Sequence, residues 1–211
     1  MERSLVLHSG PVPKHLRYDE VRRLIDCCEE IPEWQRFKVA RRNRLLLEVL
    51  WQAGCRIGEV LGGPKVKDGK VKGHYHGLRP CDLDPRYGLI YIDVEKRRQP
   101  FSHHVRLEPG LVAELVAYYH EAQRGWEEAI FKVSKRQVQA MIKKAGRQAG
   151  LQRDITPHIL RHSHGIYLRE QNVHAFVMQE AMGHASLAST LVYGKATEED
   201  TARIKSQIAW S

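Results

Sequence analysis

Five side chains of this sequence have the types needed to break a phosphodiester bond without a metal ion. They are two arginines, two histidines and one tyrosine: Arg56, His158, Arg161, His184 and Tyr193. Cleavage of this kind requires fixed cations for the phosphate, a proton-transfer partner and a side-chain nucleophile. Arginine offers a planar fork of donors that fits a phosphate. Imidazole titrates near neutral pH, and a tyrosine oxygen can bond covalently to phosphorus.

Each of these residues taken alone has a simpler interpretation. An arginine near a helix start, such as Arg56, is an ordinary surface residue, and a single tyrosine is an ordinary packed aromatic. Three histidines of one segment form either a basic patch or a metal cluster: His158, His162 and His164. No carboxylate or cysteine stands beside them at helical spacing, as a metal site would require, so no metal is expected. The order and spacing of the whole set therefore carry the chemical hypothesis.

The elements that must position these residues are predicted to be mainly helices. Apolar periodicity and caps predict helices over 16–30, 41–52, 109–121, 135–149, 157–170, 173–182 and 187–193, a short one beginning at Arg56, and a last one from Thr197. Pro32 and Gly54 are predicted to end the first two helices. Thr156 and Ser134 are predicted N-caps.

Strands are predicted in two places. Lysine and valine alternate around Asp68-Gly69, which indicates a β-hairpin over 63–77. Residues 89–94 form a second predicted strand with a partner over 103–107, and a charged turn, Glu95 to Gln99, lies between them. Together the elements predict an α+β fold that is mainly α-helical, with a small antiparallel sheet.

Composition favours a polyanionic partner. The chain has 211 residues, a net charge of +9 and a pI of about 9.5, which indicates either nucleic-acid binding or simply a basic surface. The four cysteines form no CxxC pair, so a reducing compartment, the cytoplasm, is expected. Met1 to Gly10 carries no signal-peptide pattern, and no apolar run approaches the roughly 20 residues that span a bilayer.

The set of five residues, with the flanks Met182 to Ser186 and Leu191 to Tyr193, resembles the catalytic domain of the tyrosine recombinase (phage integrase) family. The resemblance extends from about Leu16 to Lys195. It implies a catalytic domain over 16–196, an N-terminal extension over 1–15, a tail helix over 197–211 and a basic hairpin insertion over 63–77. Most relatives carry a preceding helical domain, so the chain is expected to be either a minimal recombinase or a catalytic fragment.

The resemblance also implies a role for each residue. Arg56 and Arg161 would hold the two non-bridging oxygens of the scissile phosphate, and His184 would donate a further hydrogen bond to it. His158 would accept the proton of Tyr193, which would attack phosphorus and become linked to the DNA 3′ end. No cofactor is implied, because the phosphotyrosine bond conserves the energy of the broken phosphodiester.

Supporting residues follow from the same resemblance. Lys96 matches the lysine that protonates the leaving 5′ hydroxyl, although its turn lacks the usual glycines. Glu59 matches a carboxylate that holds a catalytic side chain, and His162 is expected to pack nearby. Further cations are expected either to touch DNA phosphates or to be solvated: Arg41, Arg42, Arg44, Lys65, Lys67, Lys70, Lys72, Arg97 and Arg98.

The implied function is site-specific recombination of double-stranded DNA by a homotetramer that is monomeric or weakly associated when free. Two alternatives remain open from the residues. A type IB topoisomerase shares the tyrosine chemistry but would relax supercoils alone. A catalytically silent DNA-binding regulator would keep the fold without turnover.

Overall fold

The computed structural model describes residues 15–67, 69–93, 102–123 and 125–183. Within these ranges lie eight α-helices: α1 (Tyr18–Asp26), α2 (Pro32–Arg36), α3 (Ala40–Gln52), α4 (Ile57–Leu61), α5 (Pro109–Glu121), α6 (Lys135–Gln148), α7 (Pro157–Glu170) and α8 (Ala175–Ala181). The helices predicted over 187–193 and from Thr197 lie outside the described residues. The α+β prediction with mainly helical content is confirmed.

Local capping chemistry sets the bounds of α5, α6 and α7. Pro109 begins α5 at the first turn, where its missing N–H costs no hydrogen bond. Ser134 Oγ accepts from the Gln137 N–H (3.2 Å) at the start of α6, and Thr156 Oγ1 accepts from the Ile159 N–H (3.3 Å) at the start of α7. These three helices begin at the predicted residues.

Two small antiparallel sheets accompany the helices. Strands β1 (Gly63–Lys67) and β2 (Lys70–Tyr75) form the predicted hairpin. Strands β3 (Leu83–Asp84), β4 (Leu89–Asp93) and β5 (Ser102–Arg106) form a separate sheet in the order β3-β4-β5. The pairing of β4 with β5 was predicted, whereas the two-residue strand β3 was not, since so short a segment has no alternation of its own.

Helix α3 lies at the centre of the core. Leu45, Leu46, Leu47, Val49 and Leu50 are all essentially inaccessible to solvent, so the second half of the helix is covered on every side. It packs against α1, α5 and α7. Because α3 leads directly into Gly54 and Arg56, this packing fixes the start of the segment that carries the first predicted catalytic arginine.

The prediction that Pro32 ends the first helix is wrong in part. Helix α1 ends at Asp26 and continues as a 3₁₀ turn over Cys27–Glu29, and Pro32 instead occupies the first turn of a new helix, α2. Proline is excluded from a helix interior but suits a first turn. Trp34 of α2 is buried, which gives this short helix its place against the core. Among the described residues no helix has the length and apolar character of a membrane span.

Candidate active site

Arg56 occupies the N-cap of α4 and is held there by Glu59. The Glu59 carboxylate accepts from the Arg56 backbone N–H (2.6 Å) and from its guanidinium (Nη1 to Oε1, 3.1 Å). The Glu59 side chain is 2% exposed, whereas that of Arg56 is 21% exposed. One buried carboxylate thus fixes both the backbone and the head group of Arg56 while part of the guanidinium reaches the surface.

The turn before α4 depends on Gly54. Its φ of +55° lies in the left-handed region, where a side chain is unfavourable. A Cβ atom at this position would lie 2.2 Å from Cδ2 of His164. The backbone therefore approaches the imidazole of α7 so closely that only glycine fits.

Arg161 links this turn to the end of α8. The side chain is buried, and the residue is 5% exposed. Its Nη1 donates to the Gly54 carbonyl (2.7 Å), and its Nη2 donates to the Met182 carbonyl (2.9 Å). Both acceptors are neutral, so these two hydrogen bonds orient the guanidinium without cancelling its charge. Gly54 lies two residues before Arg56, and Met182 lies two residues before His184 in the sequence.

The pKa of the buried Cys55 thiol depends on the charged groups around it. Burial raises the pKa of the Cys55 thiol, and the Glu59 carboxylate raises it further, while the positive charges of Arg161 and Arg56 act to lower it. Both guanidinium groups therefore act on the same buried atom. Two arginines that are 105 residues apart in the sequence contribute positive charge to one neighbourhood.

The His164 ring packs closely against Gly54 and Trp51. Its ring meets the Trp51 ring edge-on at 5.7 Å between centroids. Burial and the nearby positive charge of Arg161 lower the pKa of His164 to about 4, although a hydrogen bond to the backbone of Trp51 acts in the opposite direction. The imidazole is neutral at physiological pH, and a neutral ring beside Arg161 avoids repulsion between two buried cations.

The other histidines of α7 have different surroundings. His158 is exposed at the second position of α7, one turn before Arg161. His162 is half-buried, and its ring faces that of His15 at 6.3 Å in an edge-on arrangement. Within the described parts of the chain, no group of three or more His, Cys, Asp or Glu side chains is arranged to hold a metal ion.

Several predicted site residues lie outside the described residues: Lys96, Arg97, Arg98, His184 and Tyr193. Those within them that share one region are Arg56, Glu59 and Arg161, which the Gly54 turn connects. Sequence reasoning gave no functional weight to Gly54, His164 or the Met182 carbonyl. Gly54 was interpreted only as a helix stop, and its position two residues before Arg56 was the available signal.

Arg41 and Arg44, predicted to contact DNA, lie in an ion-pair network. Arg41 Nε pairs with Glu114 (3.2 Å) and its Nη1 with Glu121, while Arg44 pairs with Glu29 (2.7 Å) and Glu114. These contacts join α3 to α5 and to the turn after α1. Their DNA contacts stay a prediction, with much of the charge offset by carboxylates.

Arg42 and Lys70 lie on α3 and β2. The Arg42 guanidinium donates to the side chain of Asn43 (2.9 Å). Lys70 is exposed at the start of β2. Lys65 and Lys67 belong to β1, and Lys72 belongs to β2.

Comparison with known proteins points in one direction. The profile of the phage integrase family matches residues 14–200. Tyrosine recombinase XerA of Thermococcus kodakarensis is 29% identical over 197 residues, which are 89% of this chain and 60% of that protein. Tyrosine recombinase XerC of Vibrio atlanticus is 30% identical over 193 residues, which are 87% of this chain and 54% of that protein. The chain thus spans little more than half the length of these relatives.

Solved structures agree on the fold. The crystal structure of the XerH site-specific recombinase bound to its difH substrate, a pre-cleavage complex, superposes with a TM-score of 0.69 at 24% identity. The match covers 92% of this chain and 53% of that one. The arrangement of helices and small sheets described above is therefore shared with a DNA-bound recombinase.

Proposed function

The chain belongs to the phage integrase family, and from this membership we propose that it is the catalytic part of a site-specific tyrosine recombinase. It cuts and rejoins double-stranded DNA through a 3′-phosphotyrosine intermediate. The curated relatives at 29–30% identity are tyrosine recombinases, which favours this activity over a type IB topoisomerase or a silent regulator. The presence of Arg56, His158, Arg161, His184 and Tyr193 together also supports turnover.

The observation that carries the proposal is the pair of hydrogen bonds made by Arg161. They tie the Gly54 turn, which precedes Arg56, to the Met182 carbonyl, which precedes His184. A guanidinium whose orientation is fixed in this way suits the non-bridging oxygens of a phosphate, because its planar donors match their geometry. Preorganised cations of this kind stabilise the charge that develops on a phosphate in the transition state.

In the proposed reaction the Tyr193 oxygen attacks phosphorus, and the bond to the 5′ oxygen breaks. His158 accepts the tyrosine proton, and Lys96 gives a proton to the leaving 5′ hydroxyl. Arg56, Arg161 and His184 bind the non-bridging oxygens. Glu59 holds Arg56 and does not touch DNA. The reverse attack by a 5′ hydroxyl from a second duplex reseals the strand without an energy source.

Assembly and location are part of the same proposal. Strand exchange between two duplexes needs four active tyrosines, so we infer a homotetramer on DNA formed from weakly associated protomers. We also infer work at cytoplasmic DNA. The net charge of +9 and the unpaired cysteines within the described ranges support this inference.

Trapping of the covalent intermediate tests the proposal. Nicked duplexes made from the DNA that flanks the coding sequence are incubated with the protein, so that the cut strand loses a short fragment and cannot be resealed. We expect a protein–DNA adduct on a denaturing gel, with the DNA attached to Tyr193 by peptide mass spectrometry. The Tyr193→Phe variant lacks only the nucleophilic oxygen, so it should bind DNA as the wild type does and form no adduct.

Tyr87→Phe is the matched control, since Tyr87 is exposed and outside the proposed site. It should form adduct at the wild-type rate. Adduct on any other tyrosine would show that the nucleophile is misassigned. DNA binding without any adduct would favour the silent regulator, and relaxation of supercoiled plasmid by a single protomer would favour the topoisomerase.

A further inference from the structure

The β1–β2 hairpin concentrates positive charge in a small part of the chain. Residues 63–76 contain four lysines and one aspartate, a net charge of +3 out of the total of +9. Its two histidines, His74 and His76, are exposed, as is Val71 at 58%. Seven per cent of the residues thus carry a third of the net charge, which no requirement of the hydrophobic core explains.

The hairpin leaves and re-enters the fold at one point. The Leu78 N–H donates to the Val60 carbonyl (2.8 Å) across its base. A Cβ atom on Gly77 would lie 2.8 Å from the Gly62 nitrogen and the Leu61 carbonyl carbon. Since the two ends touch, the chain could pass from α4 to Leu78 without the hairpin.

The sequence of the hairpin is unfavourable for an isolated element. Lys67 and Lys70 occupy paired positions in the backbone register, and two like charges at paired positions disfavour a strand pair. A two-stranded hairpin is marginally stable in water to begin with. Lys70 is exposed and has no carboxylate partner within ion-pair distance among the described residues. A polyanion bound along the hairpin would offset this repulsion.

The root of the hairpin lies near the first catalytic arginine. Helix α4 has five residues, so Arg56 at its N-cap and Gly62 at its C-cap are about 9 Å apart along the axis. Strands of five and six residues extend about 17–20 Å. The tip therefore lies within about 29 Å of Arg56, a span of about eight base pairs at 3.4 Å per phosphate on each strand.

We propose that the β1–β2 hairpin binds the phosphate backbone of duplex DNA within about eight base pairs of the bond to be cut. The inference rests on the proposed function, because it takes Arg56 to mark the scissile phosphate. Lysine is a flexible point charge without a base-reading fork, so the hairpin binds without sequence preference. It adds affinity to the catalytic domain rather than specificity.

Salt dependence of DNA binding tests this contact directly. A variant with Lys65, Lys67, Lys70 and Lys72 all changed to Gln is compared with the wild type on a fluorescent 30-base-pair duplex from the flanking DNA, between 50 and 300 mM KCl. Each phosphate contact contributes about 0.9 to the slope of log K against log salt, so we expect the slope to fall by roughly two to four. Affinity at 100 mM should fall at least about tenfold.

The matched control removes four exposed cations that lie outside the hairpin by changing Arg17, Arg23, Lys38 and Lys132 to Gln. The change in net charge is identical, so general attraction to DNA falls equally in both variants. We expect the control slope to change by less than about one. An equal fall in both variants would show that only overall charge matters and would overturn the proposal.

Two further measurements separate a failure of the hairpin contact from a failure of the proposed function. A deletion of residues 63–76, which joins Gly62 to Gly77, should melt as the wild type does and reproduce the loss of slope. The lysine variant should still form the Tyr193 adduct at low salt and saturating protein. An unchanged slope with intact adduct refutes the hairpin contact alone. Absence of both binding and adduct in the wild type refutes the proposed function.

Lysine on an edge strand also deters pairing between copies of a protein. This alternative predicts an unchanged slope together with new self-association of the lysine variant, which sedimentation without DNA would reveal. That result would overturn the DNA contact. A loss of assembly on DNA with an unchanged slope would likewise assign the hairpin to a protein partner instead.

Discussion

Gly54 performs two tasks that no other residue type can combine. Its left-handed backbone turns the chain from α3 towards Arg56, and its carbonyl accepts a hydrogen bond from Arg161. The absence of a side chain leaves room for the His164 ring. The two arginines are therefore positioned relative to each other through one peptide unit. Displacement of that unit would misalign both cations at once.

Gly54→Ala should impair both stability and cleavage. The left-handed backbone and the 2.2 Å approach to His164 together should reduce the free energy of unfolding by about 2–4 kcal/mol. Adduct formation should slow by roughly a hundredfold or more, because a preorganised charge is displaced. Urea denaturation and the adduct assay on the nicked duplex measure the two effects.

Gly150→Ala is the control for backbone strain alone. Gly150 has a similar φ of +71° with no atom near the position of a Cβ. It should lose only about 1 kcal/mol of stability and keep full cleavage. Addition of His164→Ala to Gly54→Ala should restore part of the cleavage rate by removal of the clash. A double variant no faster than Gly54→Ala would show that the ring contact is not the cause.

At the level of the elements, the sequence predicts structure best where the signal is local. Helices α5, α6 and α7 begin where Pro109, Ser134 and Thr156 indicate, because a cap or a first-turn proline acts within four residues. The hairpin predicted from the alternation of lysine and valine likewise forms, as the pairing of β1 with β2 shows. The order and spacing of the arginines, histidines and tyrosine along the chain indicate the family.

Features that depend on tertiary partners could not be predicted. The basic start of α3 was expected to reach DNA or solvent, yet Arg41 and Arg44 pair with carboxylates of α5 that are about 70–80 residues away in sequence. The role of the Gly54 carbonyl likewise depends on how α7 packs against α3. No window of the sequence contains both partners of such contacts.

The contact between α3 and α7 should weaken at acidic pH. His164 of α7 packs on Trp51 of α3, and Tyr167 lies 5.5 Å from the same ring. The pKa of His164 is about 4 in the folded protein, against an ordinary value of 6.5. Between these two pH values the unfolded chain therefore binds a proton that the folded chain does not. Stability should therefore be complete above pH 6.5 and fall as the pH approaches 4, by roughly 3 kcal/mol from this residue.

Comparison of urea denaturation at pH 7 and pH 4 measures this dependence. His164→Phe keeps an aromatic ring but no titrating group, so its stability should change less between the two pH values, by up to about 3 kcal/mol. His120→Gln, on the exposed side of α5, should keep the wild-type dependence. Equal pH dependence in His164→Phe and wild type would mean that another group is responsible.

For the molecule as a whole, the proposed DNA cleavage and the proposed strand exchange require different parts of the chain. The two arginines proposed to act in cleavage, and Glu59, lie within the described residues, whereas the proposed exchange between duplexes would require contact between protomers. The segment from Thr197 to Ser211 lies outside the described residues and is predicted to form an amphipathic tail helix. Its apolar residues are too few to form a core, so they must be covered by something: Ala202, Ile204, Ile208 and Trp210.

We expect this tail to dock on a neighbouring protomer of the proposed tetramer. Ile204→Asp combined with Ile208→Asp places charge on one face of the helix, since the two positions are one turn apart. If the face docks in trans, the variant should melt as the wild type does and bind DNA as a monomer, but fail to assemble and exchange strands. Thermal melting, sedimentation on target DNA and a two-duplex recombination assay measure these properties.

If the tail instead folds back on its own domain, the melting temperature of the variant should fall, because charge then enters the core of each protomer. Tyr193 lies only four residues before Thr197, so loss of docking should also alter the cleavage rate, and normal recombination by the double variant would exclude any role for this face in assembly.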